Sequence, residues 1–272
     1  MMTAVIGAII GDVVGSRFER HNHKSKKFEL FTTKNKFTDD TVMTLAVADA
    51  IMDMVAQGLV LGRDDLAIQN LVITAMQKLG KAYPLAGYGL KFSRWLRSNN
   101  PKPYGSYGNG AAMRISPVAD LPLSSQDQDY LAGLITAVSH DAEEGLLGAS
   151  AMVTAITTGK YQQDKALIAG KMANAYPLDF TLEDIRPTYQ FDVSCAGSIP
   201  VVFQAFLESK DFEDAIRNAI SVGGDSDTIA SMAGAIASAH YQSIPDDIVI
   251  KTLTYLPEDL RTIFIKWQSF IG

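Results

Sequence analysis

The run Thr228 to His240, TIASMAGAIASAH, is mostly Ala, Ser and Gly. It is long enough for a helix but offers little bulk to fill a core. Glycine inside a helix costs about 1 kcal/mol relative to alanine. A chain that keeps small residues along such a run is bringing helix backbones into close contact around one centre. Other segments share the helical period: Val42 to Val55, Leu131 to Ser139, Gly145 to Thr158, Ala196 to Leu207, Phe212 to Ser221, Ile248 to Leu256, and the segment from Glu258 onward. The best strand-like candidate is Ile185 to Phe191. The pattern predicts an all-α, single-domain orthogonal helical bundle over residues 1–272. Loop signals fall at His21 to Asn35, Asn99 to Gly110 and Pro177 to Tyr189.

With 272 residues, a chain can bury roughly 70–75% of the surface it exposes when unfolded, so its core needs no staple. Cys195 is the one cysteine. It cannot form an internal disulfide, and without a basic neighbour in sequence it reads as a small buried apolar residue. The apolar N-terminus stops at Asp12 and lacks a basic leader, and no apolar stretch of about 18 residues appears. A cytoplasmic location, with no membrane partner, is the expectation. The net charge of −6 argues against general nucleic-acid binding. A local exception runs from Arg17 to Lys36, with Arg20, Lys24, Lys26, Lys27 and Lys34 between. It reads either as a solvated surface loop or as an electrostatic lead-in for an anionic substrate.

Two segments carry the candidate chemistry. Thr38-Asp39-Asp40-Thr41 ends the lysine-rich loop and opens an apolar helix; Asp225-Ser226-Asp227-Thr228 follows Gly223-Gly224 and opens the small-residue helix. Thr and Asp cap helices, and carboxylates suit the positive end of the helix dipole. Paired aspartates exceed what a cap needs. If the two helix starts meet, four carboxylates repel one another unless cations neutralise them, and hard divalent ions favour such oxygen ligands. Ser106-Tyr107-Gly108-Asn109, ahead of a helix at Ala111, reads as an anion-binding turn, with Gly108 and Gly110 permitting positive φ. Ser139-His140 sits at a break between helices.

These segments, together with Gly7-Ala-Ile-Ile-Gly-Asp-Val-Val-Gly15 and Glu19, occur in one order along nearly the whole chain. In that order the sequence resembles the ADP-ribosylglycohydrolases, the group that includes the dinitrogenase reductase-activating glycohydrolase. The resemblance implies a central cleft with two Mg²⁺ or Mn²⁺ ions, held by Thr38, Asp39, Asp40, Asp225, Asp227 and Thr228. It implies that Glu19, Asp40 and Asp225 serve catalysis, with Glu29 a competing acid on the same loop as Glu19. It places Ser106, Tyr107, Gly108 and Asn109 on the diphosphate and proximal ribose of ADP-ribose, and His140 near its distal part. Asp12 matches a family position and reads as a support. The implied partner is an ADP-ribosylated protein or small ADP-ribose conjugate, bound by a monomer or weak oligomer. Two rival readings are a non-catalytic binding or structural descendant of the kind found in the eye lens, and a metallohydrolase acting on a phosphoester.

Overall fold

The computed structural model describes residues 2–272. The described residues fold into fifteen helices: α1 (Ala4–Gly15), α2 (Asp39–Ala56), α3 (Asp65–Ala82), α4 (Leu90–Arg97), α5 (Gly110–Met113), α6 (Ser116–Asp120), α7 (Ser125–Thr136), α8 (Glu143–Gln162), α9 (Lys165–Met172), α10 (Leu182–Ile185), α11 (Cys195–Leu207), α12 (Phe212–Ser221), α13 (Ser226–Tyr241), α14 (Asp246–Leu253) and α15 (Glu258–Ile271). No strand occurs among the described residues; Gly108 and Ser194 form an isolated antiparallel bridge. The strand expected over Ile185 to Phe191 is absent. A capping box at Thr181 and Asp184 opens the short α10 there, and Tyr189 N–H closes a turn onto Ile185. Local capping outweighed the weak alternation. No helix among the described residues is long and apolar enough to cross a membrane.

The small-residue helix stands at the centre. Every residue of α13 from Ser226 to Ala239 is buried, as is every residue of α1. The two cross in backbone contact, and α8, α11 and α12 pack around α13. A helix buried on all sides carries no amphipathic stripe, which is why periodicity alone does not mark α1. By contrast α3 buries Ile68, Val72, Ala75, Met76 and Leu79 at regular helical spacing, although it lies outside the segments read as helical from the sequence. Outside the core pair, α2 packs against α3 and α15.

One buried carboxylate ties the ends of the fold together. The N–H of Ala4 opens α1, where Thr3 makes no side-chain cap, and donates to Asp120 Oδ1 at 2.8 Å. The Trp267 indole of α15 donates to Asp120 Oδ2 at 3.2 Å. Burial pushes the Asp120 carboxyl up from 3.8 to about 6 against these bonds. The folded pKa lies above the unfolded one, so the folded state holds the proton more tightly. The stability this group contributes is complete below about pH 4 and is lost as pH rises through about 6. The stability difference between wild type and Asp120→Asn should therefore move against the wild type by about 3 kcal/mol across that window. Urea melts at pH 4, 5, 6 and 7 measure it; a difference that stays flat would show that Asp120 does not titrate there.

Candidate metal centre and active site

The two acid clusters meet because α1 lets them. A Cβ at Gly15 would lie 2.5 Å from Asp227 Cα and 2.7 Å from Ser226 O, so α13 begins directly against the end of α1. Gly223 and Gly224 adopt φ of +77° and +71°, which only glycine reaches without strain. They turn the chain from α12 into α13. From α1, Asp12 reaches the start of α2. Its carboxylate accepts from Thr38 N (2.9 Å), Thr38 Oγ1 (2.7 Å) and Thr41 N (3.0 Å), and also from Thr41 Oγ1. Asp12 thus caps α2 from another helix.

Asp12, Asp40 and Asp227 each bring one carboxylate oxygen to within 4.8 Å of the others. Their exposures are 0%, 2% and 3%, so water does little to screen them. Asp40 accepts from Thr228 Oγ1 at 3.1 Å through Oδ2, while its Oδ1 is buried with no hydrogen-bond donor. Burial, then the neighbouring carboxylates Asp12, Asp39 and Asp225, holds Asp40 well above the usual carboxylate range; burial, then Asp225, Asp40 and Asp12, does the same for Asp227. Asp39 is half-buried, and burial, then Asp12 and Asp225, pushes it up to about 8. Asp225 is pushed to about 6 by burial, opposed by the bond from Asn109 Nδ2 at 2.7 Å.

This arrangement fits a hard divalent cation. The donors are carboxylate and hydroxyl oxygens, and an orphaned buried carboxylate oxygen costs stability until a positive charge meets it. Of the six sequence-selected ligand residues, Asp40 at the start of α2 and Asp227 at the start of α13 join this group with Asp12; Thr38 bonds Asp12 and Thr228 bonds Asp40, while Asp39 and Asp225 lie at the same two helix starts outside it. The tightest triad nevertheless includes Asp12. The family resemblance implies Asp12 as a support; its place within the triad itself comes from the packing of α1 against the starts of α2 and α13.

Glu19 is half-buried and pairs with Arg20 at 3.3 Å. It raises the pKa of Asp39, Asp225 and Asp227, and lines a cavity of about 260 Å³ with Asn22, Gln190, Phe191 and Gly224. Glu29 instead lines a separate cavity with Arg217 and Lys251. The basic run around them divides: Arg20, Lys27, Lys34 and Lys36 are exposed, whereas Arg17, Lys24 and Lys26 are held by the fold. Lys24 donates to Tyr189 O and Val222 O, both at 2.6 Å, Lys26 pairs with Asp214, and Arg17 binds Glu29 O. Arg217 on α12 grips Lys26 O and Phe28 O at 2.9 and 2.8 Å. Arg17, Lys24 and Lys26 thus bolt the loop down.

The Ser106–Asn109 turn lies beside α11 and α13. Asn109 spends its amide on Asp225 and on Ser198 Oγ (3.0 Å), so it holds the acid cluster as well as the turn. Tyr107 is exposed, and Ser106 Oγ accepts from Gly108 N at 3.3 Å. The expected positive φ at Gly108 and Gly110 is not found; the left-handed residue is Gly105, at φ +62°. Gly108 and Gly110 are small for another reason, since His140 stands against both. Cys195 is buried at the start of α11, its Sγ 3.4 Å from Gly108 O, and burial pushes the thiol up to about 12. It is packing and not a nucleophile.

The model of the ADP-ribosylglycohydrolase family matches residues 1–267. The chain belongs to that family. Among its relatives, the ADP-ribosylhydrolase ARH3 of Xenopus tropicalis is 24% identical, with 88% of this chain and 86% of that protein covered. The human ARH3 is 25% identical over 86% of this chain and 83% of its own length. The ADP-ribosylarginine hydrolase Tri1 of Pseudomonas putida is 24% identical over 88% of this chain and 69% of its own. A solved ADP-ribosylglycohydrolase-related protein complex contains a chain of the same fold. It superposes with a TM-score of 0.70 at 19% identity, covering 100% of this chain and 97% of that one.

Proposed function

We propose that the protein is a divalent-metal-dependent hydrolase that cleaves the C1″ glycosidic bond of an ADP-ribosylated side chain or small conjugate and releases ADP-ribose. The observation that carries the proposal is the convergence of Asp40 and Asp227 from two helix starts onto Asp12, with Asp40 Oδ1 left buried and unpaired. Thr38, Asp39, Asp40, Asp225, Asp227 and Thr228 would hold two Mg²⁺ or Mn²⁺ ions. Such ions supply Lewis acidity toward sugar and water oxygens and cancel the clustered negative charge.

The chain's own groups do the rest. Asp12 fixes the start of α2, and Asn109 fixes Asp225, so the acids are oriented before substrate arrives. Ser106, Tyr107, Gly108 and Asn109 bind the diphosphate and proximal ribose. Glu19, at the edge of the cleft, takes or delivers the proton at the scissile bond, and Asp40 and Asp225 serve the same step. Cleavage passes through an oxocarbenium-like transition state, as at other glycosidic bonds. Asn22, Gln190 and Phe191 beside Glu19 select the leaving group.

The test is a linkage panel. The protein with Mg²⁺ is incubated with ADP-ribosyl-arginine, ADP-ribosyl-serine peptide and O-acetyl-ADP-ribose. Release of ADP-ribose from at least one, abolished by EDTA, is expected. Release of AMP would replace the proposal with phosphoester chemistry. No release, with ADP-ribose still bound, would identify a binding descendant.

A further inference from the structure

Arg114, which follows α5, is wholly buried and pairs with no carboxylate. Its Nη2 donates to Ser139 Oγ at 2.9 Å and lies 3.3 Å from His140 Nδ1; Nε and Nη1 find no acceptor. The guanidinium also faces the Phe92 ring at 5.5 Å. A guanidinium has only donors. The Nδ1 that it faces must therefore present a lone pair, and a neutral imidazole then carries its proton on Nε2. Ser139 Oγ, 2.9 Å from the same nitrogen, accepts from Arg114 and has its own hydrogen free for Nδ1. Phe92 and Tyr104, with ring centroids 5.9 and 5.7 Å away, flank the imidazole.

The other nitrogen faces the turn. A Cβ at Gly110 would stand 3.1 Å from Nε2, and one at Gly108 3.9 Å; glycine leaves that approach open. Among the described residues no protein group bonds Nε2. Burial, then the Arg114 charge, holds the imidazole pKa well below its ordinary value, so the ring stays neutral.

We infer that Arg114 is a positioning residue that locks His140 as the Nε2–H tautomer, presenting one fixed N–H donor to an oxygen of the anionic ligand on the Ser106–Gly110 turn. The ligand's identity as ADP-ribose rests on the proposed function; the tautomer does not. A histidine free to exchange tautomers would spend part of its time turning a lone pair toward that oxygen and repelling it. Arg114 removes that state and adds an unneutralised positive charge behind the donor.

Histidine-selective ¹⁵N labelling of the full chain, read by long-range ¹H–¹⁵N correlation, tests this directly. His140 is expected to show a protonated Nε2 and an unprotonated Nδ1 across about pH 5–8. A protonated Nδ1, or a charged ring near neutrality, overturns the inference without any mutation. Arg114→Met is expected to mix the tautomers and weaken ADP-ribose binding about tenfold, and Arg114→Lys to restore both. His140→Gln keeps an N–H near the Nε2 position, whereas His140→Asn places its amide near Nδ1. The Gln variant should bind within about threefold of wild type and the Asn variant about tenfold worse. Equal losses in the two overturn the assignment. A wild-type protein with the expected tautomer that binds no ADP-ribose overturns the reading of the turn, and the ligand half of this inference with it.

Discussion

Asp40→Asn is expected to abolish stabilisation by Mg²⁺ while leaving the metal-free protein as stable as wild type or more so. The usual loss on removing a buried charge reverses here. Asp40 Oδ1 has no donor, and burial together with Asp12, Asp39 and Asp225 all oppose its ionisation. An Asn amide keeps an acceptor for Thr228 Oγ1 and turns an N–H₂ toward the surrounding carboxylates, replacing repulsion with donation. The same change removes a ligand charge. Saturating Mg²⁺ at about a hundred times its Kd would raise wild-type stability by about 2.7 kcal/mol through mass action. In a chain of this size that is a rise in Tm of roughly 5–10 °C. The variant should show almost none of it, and turnover should fall by about a hundredfold or more. Thermal melts of both proteins in EDTA and in Mg²⁺ check the pattern. A variant that melts well below wild type in EDTA and still gains from Mg²⁺ would sink the assignment of Asp40 as a ligand.

Much of this site can be read from the residue order. Paired acids alone also open α8, α10, α12, α14 and α15; Thr38-Asp39-Asp40-Thr41 and Asp225-Ser226-Asp227-Thr228 stand out because paired aspartates combine with threonines at both helix starts. Their meeting point is not local. It depends on Asp12, which lies in an otherwise apolar helix and binds Thr38 and Thr41, 26 and 29 positions away in sequence. Nor does composition show that Lys24 and Lys26 are occupied, because their partners, Tyr189, Val222 and Asp214, are brought near only by the tertiary fold. The helix class was legible from periodicity in α12 and α15 and from small residues in α13. The short α5 and α10 are set by turns and caps of a few residues, where periodicity has no length to act.

The close approach of α1 to α13 sets both stability and the site, and Gly11→Ala separates these from ordinary helix propensity. A Cβ at Gly11 would lie 2.0 Å from Ala230 O and 2.5 Å from Ser231 N. These are backbone atoms of a helix buried on all sides, so no rotamer change relieves the clash. Alanine gains up to about 1 kcal/mol over glycine as a helix former, against an overpacking cost at or above about 3 kcal/mol. A net loss of about 2–3 kcal/mol is expected, or roughly 5–10 °C in Tm. Gly170 supplies the control. It lies in α9, is exposed, and a Cβ there meets nothing within 4 Å; Gly170→Ala should gain up to about 1 kcal/mol. The same substitution in two helices thus carries opposite signs. Because Gly15 abuts Asp227 and Asp12 follows Gly11 directly, pushing α1 from α13 also moves Asp12 away from Asp227. The Gly11→Ala protein should need more Mg²⁺ to reach half of its thermal gain, whereas Gly170→Ala should need the same amount as wild type. Unchanged Mg²⁺ dependence in a destabilised Gly11→Ala would show that helix spacing and the carboxylate cluster are independent.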